Sequence, residues 1–120
     1  MKNFKNKVAA ITGAGSGIGQ QLAVLLAKQG CHLSLSDVNA EGLAQTVELL
    51  EKSNVRVTTQ KLDVADRDAM KLWAADTVQN HGSVNMIFNN AGVALGSTVE
   101  GASYEELEWI VNINFWGVVY

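Results

Sequence analysis

The sequence predicts a doubly wound α/β fold built on a parallel sheet, and three observations carry that prediction. Short apolar runs alternate with stretches of helical spacing along the chain. The first run ends in a cluster of glycines, and a helical pattern begins directly behind it. The later runs end in polar residues, Asp37, Asp63 and the pair Asn89-Asn90, which places polar groups along one edge of the sheet.

Residues 7–12 are apolar and closed by glycines, as in a strand buried on both faces. From Gly17 the spacing turns helical, with Ile18, Leu22, Leu25 and Leu26 on one face and Gly30 as the stop. Residues 31–36 read as the second strand, with Asp37 at its carboxyl end. Asn39 is placed to cap a second helix marked by Leu43, Thr46, Val47 and Leu50, with Ser53-Asn54 after it. Residues 55–62 alternate as a third strand. Met70, Trp73, Ala74, Thr77, Val78 and His81 mark a third helix, ended by Gly82. Residues 84–88 form a fourth apolar strand, followed by a loop over 89–103. Ser103 then caps a last helix, with Glu106 as its capping-box partner. Parallel pairing with right-handed crossovers gives the sheet order 3-2-1-4, helices on both faces, and a ligand crevice beside the first strand.

Composition bounds the reading. The 120 residues suit one domain, 1–120, and 48% are hydrophobic, enough for a packed core. There are 11 glycines and no prolines, which fits a run of regular elements without a hinge. A net charge of −3 gives no basis for nucleic acid or an anionic membrane as partner. The single cysteine, Cys31, excludes an internal disulfide and fits a reducing compartment. Lys2, Lys5 and Lys7 imitate a signal peptide's start, but Thr12-Gly13 breaks the apolar run behind them. The longest apolar run, 22–27, is far short of a membrane span, so a soluble cytoplasmic protein is expected. His32 and His81 stand isolated, without metal-ligand partners at useful spacing, and no metal site is expected.

The glycine loop carries the chemistry. Gly13-Ala14-Gly15-Ser16-Gly17-Ile18-Gly19 joins a strand to a helix. Bare backbone there lets a pyrophosphate approach, and the helix start offers free N–H groups and a positive dipole end. The strict G-x-G-x-x-G spacing is not met, since the third glycine would fall on Ile18 or Gln20. Asp37, 24 residues after Gly13, suits the hydroxyls of an adenosine ribose and repels a 2′-phosphate. No Lys or Arg occurs in the loop or directly after Asp37, so NAD is expected rather than NADP.

Read as T-G-x-x-x-G-x-G, the loop resembles that of the short-chain dehydrogenase/reductase family, with Gly13, Gly17 and Gly19 as the motif glycines. The resemblance extends to the quartet Asn89-Asn90-Ala91-Gly92. It implies that Asp63 meets the adenine amino group and that Val64 lines the adenine pocket. It implies further that Asn90, Ala91 and Gly92 lie along the nicotinamide ribose, while Asn89 supports the sheet. Asn114, three residues before Gly117, matches the family's catalytic asparagine, which helps hold a water in a proton relay and perturbs its helix. The family's catalytic serine and Tyr-x-x-x-Lys pair have no match, because Tyr104 is followed by Glu108 at that spacing and Tyr120 is the last residue. The expectation is therefore an NAD-dependent oxidoreductase acting on an alcohol or carbonyl, represented by its cofactor-binding half and inactive alone. Two rivals stand beside it. One is a noncatalytic dinucleotide-binding or scaffold fragment, and the other a methyltransferase with a similar sheet. The apolar last helix, with Leu107, Trp109, Ile110, Val111, Phe115, Trp116 and Val118 on several faces, and an edge position for the fourth strand predict a homo-oligomer.

Overall fold

The computed structural model describes residues 3–120. Met1 and Lys2 lie outside the described residues, and with them part of the basic start. Four strands, β1 (Val8–Thr12), β2 (His32–Asp37), β3 (Val57–Lys61) and β4 (Met86–Phe88), form one parallel sheet in the order β3-β2-β1-β4. The intervening helices are α1 (Gly17–Lys28), α2 (Ala40–Leu50) and α3 (Arg67–His81). The order predicted from right-handed crossovers is the order observed.

Strand parity divides the interior into two cores. Ala9, Ile11, Leu33 and Leu35 point to one face, against Ala23, Leu26, Leu43 and Leu50 of α1 and α2. Ala10 points to the other, where Leu62, Val64, Met70 and Trp73 gather. Ile11, Leu33 and Leu35 are fully buried, and each contributes about 1.5–3 kcal/mol by leaving water. Trp73 is core, as its helical spacing predicts. The α3 side is the more polar one. Ser34 Oγ and Thr77 Oγ1 lie 2.8 Å apart within it, and the Ser36 hydroxyl is buried without a partner.

The helix signals hold. Asn39 caps α2 by accepting from the Gly42 N–H at 3.0 Å. Asp66 caps α3 in the same way through Ala69. Ser103 and Glu106 form the predicted capping box at the start of α4 (Tyr104–Val111). The last helix is not continuous, however. A π-helical turn over Asn112–Trp116 separates α4 from a short α5 (Gly117–Val119). The third and fourth strands are shorter than their apolar runs, although the flanking Arg56, Leu62 and Asn85 still hydrogen-bond through their backbones to β2 and β1.

The two histidines are not isolated. At the amino ends of β2 and β3, the Arg56 N–H donates to His32 Nδ1 at 3.0 Å, and the Arg56 guanidinium donates to the Asn80 carbonyl at 2.8 Å. His81 Nε2 lies 2.8 Å from Thr58 Oγ1. Burial, with Arg56 and His32 nearby, holds His81 below the usual histidine range. Cys31 behaves as a small buried hydrophobe, its thiol directed to the Lys7 carbonyl and pushed up by burial. Among the described residues, no helix is long and apolar enough to cross a membrane.

Candidate functional site

At the carboxyl edge of the sheet the strand order reverses beside β1, and a crevice of about 350 Å³ opens there. Gly13, Ser16, Gly17 and Ile18 form one wall. Gly13 and Gly17 have φ of 67° and 53°, values that disfavour a side chain. At Gly13 space forbids one as well, since a Cβ would lie 2.9 Å from both Ala91 Cα and Asn90 Nδ2. Gly17 differs, because nothing lies within 4 Å of where its Cβ would stand. Open space therefore abuts the bare backbone at the start of α1. Ser16 is the N-cap of that helix, yet its side chain makes no cap bond, and the first turn holds no acidic residue. The leading N–H groups and the positive end of the helix dipole are left for an anion.

Asp37 stands at the far side of the loop. Its Oδ2 accepts the Gly15 N–H at 2.8 Å and its Oδ1 the Asn39 N–H at 3.0 Å. A carboxylate has about four acceptor positions, so capacity remains toward the crevice that Asp37 lines. Among the described residues, no Lys or Arg lines this crevice. Asp63 and Val64 lie next along the wall. Asp63 Oδ1 accepts the Ala65 N–H at 2.9 Å, and Asp66, not Asp63, caps α3.

Asn90, Ala91 and Gly92 form the opposite wall. The Asn90 side chain donates to the carbonyls of Thr12 and Gly13 at 3.1 and 3.2 Å. Thr12 Oγ1 answers by accepting the N–H groups of Asn90 and Ala91 at 3.1 and 3.0 Å. The end of β1 is thereby stitched to the end of β4, and the two walls are one rigid unit.

A family model described as short chain dehydrogenase matches residues 7–120. The chain belongs to the short-chain dehydrogenase family. SadH of Mycobacterium tuberculosis is 44% identical over 119 residues, a match covering 99% of this chain and 43% of SadH. Cyclohexanol dehydrogenase of Acinetobacter is 37% identical over 119 residues, covering 98% of this chain and 47% of that enzyme. A short chain dehydrogenase/reductase of Burkholderia phymatum, solved in complex with NAD, superposes with a TM-score of 0.94 at 36% identity, over 99% of this chain and 42% of that one. The chain spans about half the length of the curated relatives it matches.

Within this family, the chain departs from its sequence reading at two positions. Gly19 does not line the crevice but is buried. A Cβ there would collide with the Gly13 carbonyl and Asn90 Nδ2, so Gly19 seats α1 on the loop. The sheet-supporting amide is Asn90, whereas the sequence assigns that role to Asn89. Asn114 does not line the crevice either. Its Oδ1 accepts the Val93 N–H at 2.9 Å and its Nδ2 donates to the Val93 carbonyl at 2.8 Å, so both ends of the amide clamp the loop behind Gly92. The expected perturbation of its helix is real, because Asn114 sits in the π-helical turn.

Sequence reasoning missed Thr12, Val38, Leu62, Val93 and Ile113. The last four line the crevice, but isolated apolar residues near loops carry no signal of their own. Thr12 has one, since it opens the T-G-x-x-x-G-x-G motif and a strand end needs its donors satisfied. Gly117, used only to locate Asn114, packs on Val64. A Cβ there would stand 2.6 Å from Val64 Cγ2.

Proposed function

We propose that this chain is the cofactor-binding part of an NAD-dependent oxidoreductase that moves a hydride between nicotinamide and an alcohol or carbonyl substrate. The observation that carries the reading is the pairing, in one crevice, of an uncapped helix start at Gly17 with a fixed carboxylate at Asp37. The first suits a pyrophosphate and the second an adenosine ribose. The NAD complex of the Burkholderia relative supports the cofactor class, and cyclohexanol dehydrogenase the substrate class. When bound, the dinucleotide supplies the hydride chemistry. The protein's part is to hold it: Gly13, Ser16, Gly17 and Ile18 at the pyrophosphate side, Asp63 and Val64 at the adenine, and Asn90, Ala91 and Gly92 at the nicotinamide ribose. Asn114 holds the loop at Val93 and, in the same proposal, helps position a water for proton transfer. A cytoplasmic location belongs to this reading and is supported by Cys31, the one cysteine of these 120 residues, being free and buried.

Titration with NADH, NADPH and S-adenosylmethionine tests it. NADH should bind, S-adenosylmethionine should not, and NADPH should bind about tenfold or more weakly, since an unpaired phosphate would face Asp37. Asp37→Ala should weaken NADH and narrow the gap. Equal or tighter binding of NADPH by the unmodified protein would refute the NAD assignment. The noncatalytic rival shares the crevice and is favoured, for these 120 residues, by the absence of a Tyr-x-x-x-Lys pair. Alcohol oxidation by the 120-residue polypeptide should accordingly be undetectable, because positioned proton transfer alone is worth about 10²–10⁴-fold. Cofactor-dependent turnover would contradict that expectation.

The same proposal includes self-association. Ile87 on edge strand β4 is 55% exposed, and Trp109, Phe115, Trp116 and Tyr120 are exposed on the last helices. An apolar edge and a large apolar patch both favour pairing with another copy. Light scattering at micromolar concentration should give a dimer or larger species. A clean monomer would reject the idea.

A further inference from the structure

The glycine loop is not held by its own residues alone, because its buried stretch Ala14-Gly15 lies under the first turns of α2. Thr46, fully buried, has its Oγ1 2.8 Å from the Ala14 carbonyl and 3.1 Å from the Gly42 carbonyl. The Gln20 side chain of α1 donates to the same oxygen at 3.0 Å. Gly42 sits directly on the loop. A Cβ there would stand 2.6 Å from the Gly15 carbonyl oxygen, and one on Gly15 would stand 3.0 Å from the Asp37 carboxylate. Helix α2, the loop and Asp37 are thus stacked without space for one extra carbon.

This stack has a consequence for Asp37. Its carboxylate is fixed by two backbone donors, Gly15 from the loop and Asn39 from the cap of α2. If α2 moves away from the loop, the Asn39 N–H leaves with it. If the loop moves away from α2, the Gly15 N–H leaves. Either displacement frees one oxygen of the carboxylate that reads the ribose. We infer that Gly42 and Thr46 are positioning residues for cofactor selectivity, acting through Gly15 and Asn39 on the orientation of Asp37. The inference rests on the dinucleotide reading of the crevice.

NADH and NADPH titrations of the unmodified protein, Gly42→Ala, Thr46→Val and Thr46→Ser test it, with a thermal midpoint for each. Thr46→Val keeps the volume and removes the donor, so it tests the inference even if Gly42→Ala fails to fold. Thr46→Val should weaken NADH about tenfold, the scale of one hydrogen bond to a charged group. NADPH, which gains nothing from Asp37, should change much less, so selectivity falls. Thr46→Ser should retain the unmodified selectivity. In an Asp37→Ala background, Thr46→Val should leave selectivity unchanged. A merely structural role would weaken both nucleotides by the same factor, and that result, or unchanged selectivity in Thr46→Val, would overturn the inference alone. Binding of neither nucleotide by the unmodified protein would overturn the dinucleotide reading and this inference with it.

Discussion

Gly19→Ala is expected to destabilise the protein by about 3 kcal/mol or more, at the top of the range for overpacking a closed site. The added carbon would meet the carbonyl oxygen of Gly13 and the amide nitrogen of Asn90, and neither can give way. The carbonyl belongs to a glycine in the left-handed region. The amide is held by two carbonyls of its own. Helix α1 must therefore lift off the loop, and the N–H groups at its start move with it. Dinucleotide affinity should fall at least tenfold in any fraction that remains folded. Gly96→Ala is the control, since nothing lies within 4 Å of its Cβ position, and it should shift stability by less than about 0.5 kcal/mol. Urea denaturation of the two variants beside the unmodified protein reads the difference. A Gly19→Ala midpoint equal to that of Gly96→Ala would show that the loop can relax, contrary to the packing described.

The fold was legible because its signals are local and mutually consistent. Alternating periodicity gave the element order, and handedness then left the order β3-β2-β1-β4. Asn39 and Ser103 announced their helices by spacing alone. What stayed hidden is contact between elements distant in sequence. Nothing in the string says that Gly42 faces Gly15, that Gly117 faces Val64, or that His32, Arg56 and His81 meet. The sheet-supporting bonds fall to Asn90, which also lines the crevice, and not to Asn89, for a related reason. Adjacent residues in an extended segment point to opposite sides, so the strand's registration, and not the motif, decides which amide reaches β1. Gly19 was read as a ligand contact because the motif records which glycines are required, without recording why. Here the requirement is helix–loop packing. The π-helical turn at Asn114 shows in the sequence only as an asparagine in an unfavourable place and through the family resemblance, which implies a perturbed helix there.

Thr12 is the residue from which the second large effect is expected. It is buried, at 2% exposure, and its hydroxyl occupies the point where β1 and β4 end. The oxygen accepts two backbone N–H groups, those of Asn90 and Ala91, and lies 3.4 Å from the Phe88 carbonyl to which it donates. Thr12→Val keeps the shape and removes all three contacts. The Ala91 N–H then loses its acceptor, at about 1–3 kcal/mol when buried, whereas the Asn90 N–H keeps the Phe88 carbonyl at 2.9 Å. The setting is part-buried, where water recovers some of that, and the hydroxyl's own donation is lost as well, so a loss of about 2 kcal/mol is expected. Thr12→Ser keeps the oxygen and sheds one methyl group, a loss of about 1 kcal/mol. The crevice should report the change separately from stability. Ala91 and Gly92 form its wall, so amide exchange at Ala91 should accelerate in Thr12→Val, and NADH affinity should fall further than in Thr12→Ser. Denaturation midpoints and amide exchange measured on both variants decide the matter. If Thr12→Val is as stable as Thr12→Ser and protects the Ala91 amide equally, the hydroxyl does not join the two strands, and the rigidity ascribed to the crevice has another source.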